Sequence, residues 1–186
     1  MREQAARHMF TTEEFHLMGE AGIFSEDDRV ELLEGEIIEM SPIRSRHASC
    51  VDRLNELLVR TFGKKAIVRV QNPVVLSRHS EPQPDLALVR PRKDGYAEKH
   101  PEPVDVFAII EVMDSSRHYD RGPKLRAYSK AQIPEVWLVD LTTDAIEVYR
   151  EPILGGYRHI SQFQRGQRLS LAAFPAKALR ATSILG

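Results

Sequence analysis

The segment VFAIIEVMDSSRHYDRGPKLRAYSK, from Val106 to Lys130, carries the strongest indication of the fold. Its first eight residues are apolar apart from Glu111, a composition typical of a central strand that is covered on both faces. With a side-chain period of two, Glu111 shares a face with Ile109 and Met113, and that face is polar at one point. Because an unpaired buried carboxylate is costly, Glu111 needs either an ion-pair partner or a metal ion.

The residues after this strand predict a helix that folds back towards it. Asp120 is a suitable N-cap, Pro123 is tolerated in a first turn, and apolar residues follow at helical spacing. Lys124 then lies in the first turn, one turn before Tyr128, where a helix N-terminus favours anions such as phosphate. Lys124 is therefore the basic residue of this segment most suited to phosphate chemistry.

The rest of the chain predicts short strands and two further helices. Thr11 begins a capping box, Glu34-Gly35 separates the two runs of a hairpin, and a helical period extends from Ser45 to near Gly63. The remaining β-rich runs are AIVRVQNPVVL (66–76), DLALV (85–89), EVWLVDL (135–141), AIEVYRE (145–151) and YRHISQF (157–163). These elements predict an α/β fold with a mixed central sheet flanked by helices.

Length and composition indicate one globular domain over residues 1–186, because 42% of the residues are hydrophobic. The formal net charge of -1 provides no global positive field, so a polyanion would need a local basic patch. The single cysteine excludes an internal disulfide and a cysteine-based zinc site. With no signal-peptide pattern and no apolar run long enough to span a membrane, we expect a cytoplasmic protein without a membrane partner.

Two acids on neighbouring predicted strands suit a hard divalent cation. Asp85 follows Pro84 at the start of one strand, and Glu111 lies near the end of another. Carboxylates are typical ligands of Mg²⁺ or Mn²⁺, and the backbone carbonyl of Val112 is a third candidate ligand. Lys124 would orient and help deprotonate a water and offset charge on a phosphorus centre. The alternative is an ion pair between Glu111 and a basic residue of the following helix.

Several stretches of the sequence resemble the Uma2 family (DUF820) of restriction-endonuclease-like proteins. The resemblance is carried by ELLEGEIIEMSP (31–42), HASCVDRLNELL (47–58), PQPDLALV (82–89) and the run from IIEVMDSSRHYDRG onward. It implies the PD-(D/E)XK nuclease core and an Mg²⁺-dependent or Mn²⁺-dependent endonuclease. The substrate would be nucleic acid, DNA more than RNA, and the nucleases of this fold often form homodimers.

The resemblance also implies roles for individual residues. Asp85 and Glu111 become the metal ligands, and Glu34 becomes an early acid that assists the metal through water. The lysine of the parent pattern would stand at Met113, so the resemblance transfers that role to Lys124. Four further residues match polar positions of the family and are expected to support the site: His47, Gln83, Asp120 and Tyr128.

Other interpretations remain open at this level. Taken alone, Glu34 also fits an exposed turn acid, and His47 fits a helix-surface histidine. Because Met113 replaces the usual lysine, a catalytically inactive module that binds nucleic acid or protein is an alternative, as is a hydrolase with another substrate. A local basic strip could track phosphates, and its candidate members are Arg44, Arg46, Arg53 and Lys64.

Overall fold

The structure is a computed structural model that describes residues 7–25, 27–114 and 117–186. Its α-helices are α1 (Thr12–Glu20), α2 (Ser45–Phe62), α3 (Arg117–Tyr119), α4 (Leu125–Lys130) and α5 (Ala181–Leu185). Its strands are β1 (Val30–Leu33), β2 (Glu36–Glu39), β3 (Ile67–Val70), β4 (Leu86–Val89), β5 (Val106–Met113), β6 (Glu135–Asp140), β7 (Ala145–Ile153), β8 (Gly156–Gln164), β9 (Arg168–Leu169) and β10 (Leu179–Arg180). A π-helical turn, Asp120–Lys124, joins α3 to α4.

The central sheet of the described chain has six strands in the order β3-β4-β5-β6-β7-β8. β5 and β6 are parallel and are joined through α3 and α4, whereas the other neighbouring pairs are antiparallel. Met113 and Asp140, at the C-terminal ends of the parallel pair, therefore lie at one edge of the sheet. β4 starts near that edge, with Leu86 opposite Ile110, so Asp85 lies close to Glu111. The predicted mixed sheet is confirmed.

β5 is buried on both faces, as its composition predicted. Ile110 and Val112 pack into the core beneath α2 and α5, whereas Ile109 and Met113 pack into the core beneath α4. The alternation that placed Glu111 on the second of these faces is thus confirmed. The only acid of this strand points to the layer from which the following helix approaches.

The predicted hairpin forms from β1 and β2, with Glu34-Gly35 as its two-residue turn. Both turn residues have positive φ, 49° and 81°, as a two-residue hairpin turn favours. A Cβ on Gly35 would lie 2.7 Å from the Cβ of Met9, so the N-terminal segment also requires glycine here. The backbone N–H of Glu81 donates to the carbonyl of Leu32, which ties the hairpin to the segment that leads to β4.

Two sequence-based predictions of secondary structure are wrong. Asp120 does not N-cap a helix but lies inside a helical run, because α3 precedes it and Pro123 is accommodated by the π-helical turn. The N–H of Leu125 donates to the carbonyl of Asp120, five residues back, so the turn is one residue wider than an α-turn. The strand predicted over residues 66–76 ends at Val70, since Gln71 has a φ of 50° and Pro73 cannot donate to a ladder.

The two predicted N-terminal helices are confirmed, including the capping box at Thr11 and the end of α2 before Gly63. In the described part of the chain, no helix combines the length and the apolar character needed to cross a membrane.

Candidate active site

A cleft of about 380 Å³ opens at the edge of the sheet where β4 begins and β5 ends. One wall consists of β2 and the loop that leads to α2, and the other consists of Asp114 and the helical segment 118–120. The floor carries four polar residues of the central layers, namely Gln83, Asp85, Glu111 and Lys124. The structure therefore brings together Asp85, Glu111 and Lys124, which the sequence pattern singled out.

Asp85 is fixed by three short contacts. Its Oδ2 accepts hydrogen bonds from the backbone N–H of Val112, at 2.8 Å, and lies 2.9 Å from His47 Nε2. Its own N–H donates to Glu111 Oε2 at 3.2 Å, which links the two acids directly. Burial raises the pKa of Asp85, but the hydrogen bonds from His47 and Val112 lower it by more. The net pKa of Asp85 therefore lies below its usual range. Asp85 is therefore ionised at neutral pH.

Glu111 is almost completely buried, with 2% of its surface exposed. Its Oε1 accepts a hydrogen bond from the Tyr128 hydroxyl at 2.5 Å and lies 3.1 Å from Lys124 Nζ. Burial raises the pKa of Glu111 to about 8, with the Lys124 ammonium opposing the shift. The partner that the apolar strand required is thus a lysine and a tyrosine from the helical segment that packs over it.

The Lys124 ammonium is held between two acids from different elements. Its Nζ lies 3.1 Å from Glu111 Oε1 and 3.3 Å from Glu31 Oε2, and it donates to the carbonyl of Gln83 at 3.4 Å. Burial lowers the pKa of Lys124, but the charges of Glu111 and Glu31 raise it by more. The net pKa of Lys124 therefore lies above its usual range. Lys124 therefore stays charged at neutral pH.

Glu31 is the residue of this cluster that the sequence analysis missed. It lies on β1, is fully buried, and accepts hydrogen bonds from the Tyr119 hydroxyl at 2.6 Å and from the backbone N–H of Gln83 at 2.8 Å. A signal was available, because Glu31 stands in the short apolar run VELL as Glu111 stands in β5. The role of an early acid was instead predicted for Glu34, which stands beside the hairpin glycine Gly35.

Glu34, that neighbouring acid, lies in the exposed turn of the hairpin. Its side chain is 47% exposed and forms an ion pair with Lys130 at 3.1 Å, and it does not line the cleft. The structure therefore does not bring Glu34 to Asp85 and Glu111, because Glu34 lies in the exposed turn between β1 and β2. Glu31, three residues earlier, is the acid of this hairpin that reaches the cluster.

The four predicted supporting residues all reach the cluster. His47 contacts Asp85, and the backbone N–H of Gln83 donates to Glu31. The Tyr128 hydroxyl donates to Glu111. Asp120 is 4% exposed and lines the cleft. Burial lowers the pKa of His47, but its hydrogen bond to Asp85 raises it by more, so the net pKa lies above its usual value. Contrary to the helix-surface interpretation, His47 faces the acid, and its Nδ1 is buried with no hydrogen-bond partner in the described chain.

The four basic residues predicted to contact nucleic acid do not form one strip. Arg44 lines the cleft, but Arg46 donates to the carbonyl of Leu141, and Arg53 donates to carbonyls at the C-terminus. Lys64 follows the other end of α2, roughly 30 Å from Arg44 at the rise of an α-helix. Of this set, only Arg44 is positioned beside the candidate site.

The carboxylate and carbonyl oxygens at the floor of the cleft are of the kind that binds a hard divalent cation. Within the described part of the chain, the longest contacts of these two carboxylates are those of Asp85 Oδ1, 3.4 Å from Gln71 Nε2, and of Glu111 Oε2, 3.2 Å from Asp85 N. The N–H of Val112 points to Asp85, so its carbonyl lies on the same edge of β5. Among the residues that the structure describes, no cluster of three or more His, Cys, Asp or Glu could hold a metal. An ion on two carboxylates would complete its shell with water and substrate oxygens, as Mg²⁺ does.

Comparisons with known proteins bear on the family and the fold of this chain. None of the curated proteins matches the chain. A crystal structure from Anabaena variabilis ATCC 29413, described as a "putative nuclease belonging to DUF820", has a TM-score of 0.74 and 16% sequence identity, and the match covers 95% of this chain and 97% of that one. At this identity the likeness concerns the fold. The profile of the Uma2 family, described as "Putative restriction endonuclease", matches residues 12–182, and the chain therefore belongs to the Uma2 family.

Proposed function

We propose that this protein is a metal-dependent endonuclease that hydrolyses phosphodiester bonds of nucleic acid. The observation that carries the proposal is the joining of Asp85 to Glu111 on the floor of an open cleft, with the Lys124 ammonium 3.1 Å from Glu111. The family description favours DNA over RNA, because restriction endonucleases act on DNA.

Asp85, Glu111 and the carbonyl of Val112 would hold Mg²⁺ or Mn²⁺, which when bound activates water and polarises the phosphate. The protein contributes the orientation of these ligands. His47 and the N–H of Val112 fix the Asp85 carboxylate, and Tyr128 fixes Glu111. Such contacts around the ligands tune both their geometry and their basicity.

Lys124 would offset the negative charge that develops on the phosphorus centre. Glu31 and Glu111 hold its ammonium from two sides, so little reorganisation is needed when that charge appears. The neighbouring acids keep the pKa of Lys124 above its usual range, so the side chain is present as an ammonium that can donate hydrogen bonds to a phosphate oxygen.

One feature of the core supports an active enzyme over an inactive binding module. Met113, which stands where the parent pattern has its lysine, is fully buried among apolar residues. Lys124 supplies an ammonium to Glu111 from the π-helical turn instead. The loss of the lysine at Met113 is thus compensated in space. The homodimer and the cytoplasmic location remain predictions from the sequence.

The decisive experiment is cleavage of plasmid and single-stranded DNA with Mg²⁺, with Mn²⁺ and with a chelator. We expect cleavage only with metal, and a loss of at least about 100-fold in Asp85→Asn and Glu111→Gln. Calorimetric titration with each metal should show binding to the wild type and not to Glu111→Gln. Glu34→Gln is the matched control, because it removes an exposed acid outside the cleft. Cleavage that persists in chelator would refute the proposal.

A further inference from the structure

A second depression lies beside the cleft on the other side of the helical segment. It has a volume of about 550 Å³ and is lined by Arg117, His118, Arg121 and Gly122. His118 lines both the depression and the cleft, so the two are neighbours. Among the described residues that line it, Arg117, His118 and Arg121 have basic side chains. Two guanidinium groups therefore lie next to the candidate active site, and their charge is matched by the acids Asp140 and Glu147.

The two arginines are held from behind by acids. Asp140 is fully buried at the end of β6, and its Oδ2 lies 2.7 Å from Arg117 Nη2 and 3.3 Å from Arg121 Nη2. Arg121 also makes two bonds to Glu147, at 2.6 and 3.2 Å. The side chains of Arg117 and Arg121 are 34% and 35% exposed, whereas the acids are 0% and 17% exposed. The arginine side chains are therefore more accessible to solvent than the acids with which they pair.

Both guanidinium groups keep hydrogen-bond capacity beyond these ion pairs. Each has five N–H donors in a planar fork, and the acids occupy Nη2 of Arg117 and both Nε and Nη2 of Arg121. Within the described residues, Nη1 of either arginine has no hydrogen-bond partner among protein atoms. Since the side chains are already fixed, a ligand would bind them with little further loss of rotamer freedom.

One helical segment thus separates two kinds of chemistry. Arg117 and Arg121 are four residues apart and share the face towards the depression, whereas Asp120 and Lys124 share the face towards the cleft. A polymer whose reacting phosphate lies near Lys124 would pass over this segment within a short distance. Another phosphate of the same strand would then lie over the arginines.

We propose that this depression is a binding subsite for a backbone phosphate of the nucleic-acid strand, adjacent to the phosphate that is cleaved. Arginine forks bind phosphate oxygens in pairs, and charge-assisted bonds of this kind are stronger than neutral ones. The identity of the ligand rests on the proposed nuclease function. The subsite itself rests on the fixed, outward-facing arginines.

The test uses Gly122, because a side chain can be added there without removing an existing contact. A Cβ at Gly122 would meet only Arg126 Nη1, at 3.8 Å. Any such residue precedes Pro123 and bears the same local strain. Gly122→Asp places a carboxylate in the depression, and Gly122→Ala reports the cost of the Cβ alone. Arg121→Gln removes a proposed phosphate ligand. Arg158 is an exposed arginine on β8, so Arg158→Gln is the matched control for loss of charge.

Binding is measured by fluorescence anisotropy with labelled single-stranded and duplex DNA, at several salt concentrations and in a Glu111→Gln background that prevents cleavage. We expect Gly122→Asp to bind about tenfold more weakly than Gly122→Ala, and Arg121→Gln about tenfold more weakly than Arg158→Gln. The slope of log affinity against log salt should fall by about one unit. Equal affinities and slopes within each pair, or a wild type that binds no DNA, would overturn the subsite.

Two further measurements separate the possible failures. If cleavage requires Glu111 but neither DNA affinity nor cleavage rate changes in Gly122→Asp, the subsite is wrong and the nuclease proposal stands. If DNA binding follows the expected pattern and no condition gives cleavage, the nuclease proposal is wrong and the subsite stands. Calorimetry with inorganic phosphate tests the other source of this ligand. Phosphate that binds as tightly as DNA and is lost in Gly122→Asp would assign the depression to a free anion instead of a strand.

Discussion

Two charged clusters meet at the same edge of the sheet, and they use their basic residues in opposite ways. In the cluster around Glu111, Lys124 is 4% exposed and lies between Glu111 and Glu31. In the cluster around Asp140, the two arginines are about one-third exposed and the acid lies behind them. A lysine ammonium is a compact point charge that fits between carboxylates, whereas an arginine fork can bind an acid and still present donors outward. This difference is the reason why we propose chemistry for the first cluster and ligand contact for the second.

The largest effect is expected from Lys124→Met, which breaks the buried cluster. Glu31 and Glu111 would lose their shared cation, and removing one partner of a buried ion pair costs about 3–5 kcal/mol of unfolding free energy. Lys130→Met is the control, because Lys130 pairs with the exposed Glu34. Its cost should be no more than about 1 kcal/mol. Urea denaturation of both variants measures the difference, and similar costs would remove the distinction between buried and exposed pairs.

Asp140→Asn should have the next largest effect and should depend on pH. Burial raises the pKa of Asp140, but this shift is outweighed by the backbone N–H groups of Thr143 and Thr142 and by Arg117. The net pKa of Asp140 therefore lies below its usual range. A lowered folded-state pKa stabilises the protein above the unfolded-state pKa and loses that contribution as the pH falls.

We therefore expect a loss of about 2 kcal/mol in Asp140→Asn at pH 7, because charged hydrogen-bond partners would be left unmatched. The gap to the wild type should narrow as the pH falls below about 4. Urea denaturation at pH 7 and at acidic pH measures it. A gap that is constant with pH would show that Asp140 contributes through its shape and not through its charge.

A pair of tyrosine substitutions sharpens the comparison further. Tyr128 donates to Glu111 at 2.5 Å in the buried cluster, and Tyr149 donates to Glu147 at 2.6 Å in the outward-facing one. Phenylalanine keeps the ring and removes the hydroxyl in both cases. We expect a loss of about 1.5 kcal/mol for Tyr128→Phe and a smaller loss for Tyr149→Phe, since solvent can replace a bond at a partly exposed carboxylate. Thermal and urea denaturation report both values, and the reverse order would contradict the contrast in burial.

The smallest effect on stability is expected from Glu34→Gln. The exposed pair with Lys130 contributes at most about 0.5 kcal/mol, and the cleft does not include Glu34. Glu31→Gln should instead lower the cleavage rate, because Glu31 holds Lys124 and Tyr119. A cleavage assay on both variants decides between the two acids. Loss of activity in Glu34→Gln with Glu31→Gln unaffected would restore the assignment made from the sequence.

Several parts of the fold could be predicted because local rules dictate them. The alternation of β5 identified its two faces, the capping box identified the start of α1, and Glu34-Gly35 identified the hairpin turn. The C-terminal elements could not be predicted in this way. α5 has only five residues and is stabilised by packing on α2, with Arg53 donating to the carbonyls of Ile184 and Leu185. A helix of this length has too little intrinsic stability to leave a pattern in the sequence.

That Glu111 needs a partner, with Asp85 and Lys124 as candidates, follows from the sequence alone, because an acid in an apolar strand is costly whatever the fold. That the cluster includes Glu31 and not Glu34 follows from the three-dimensional contacts, because three residues along a hairpin separate a buried strand position from an exposed turn. Only the tertiary structure also placed Arg117 and Arg121 in front of a buried Asp140. Those contacts join segments that are distant in sequence, and no local pattern specifies which distant side chains meet.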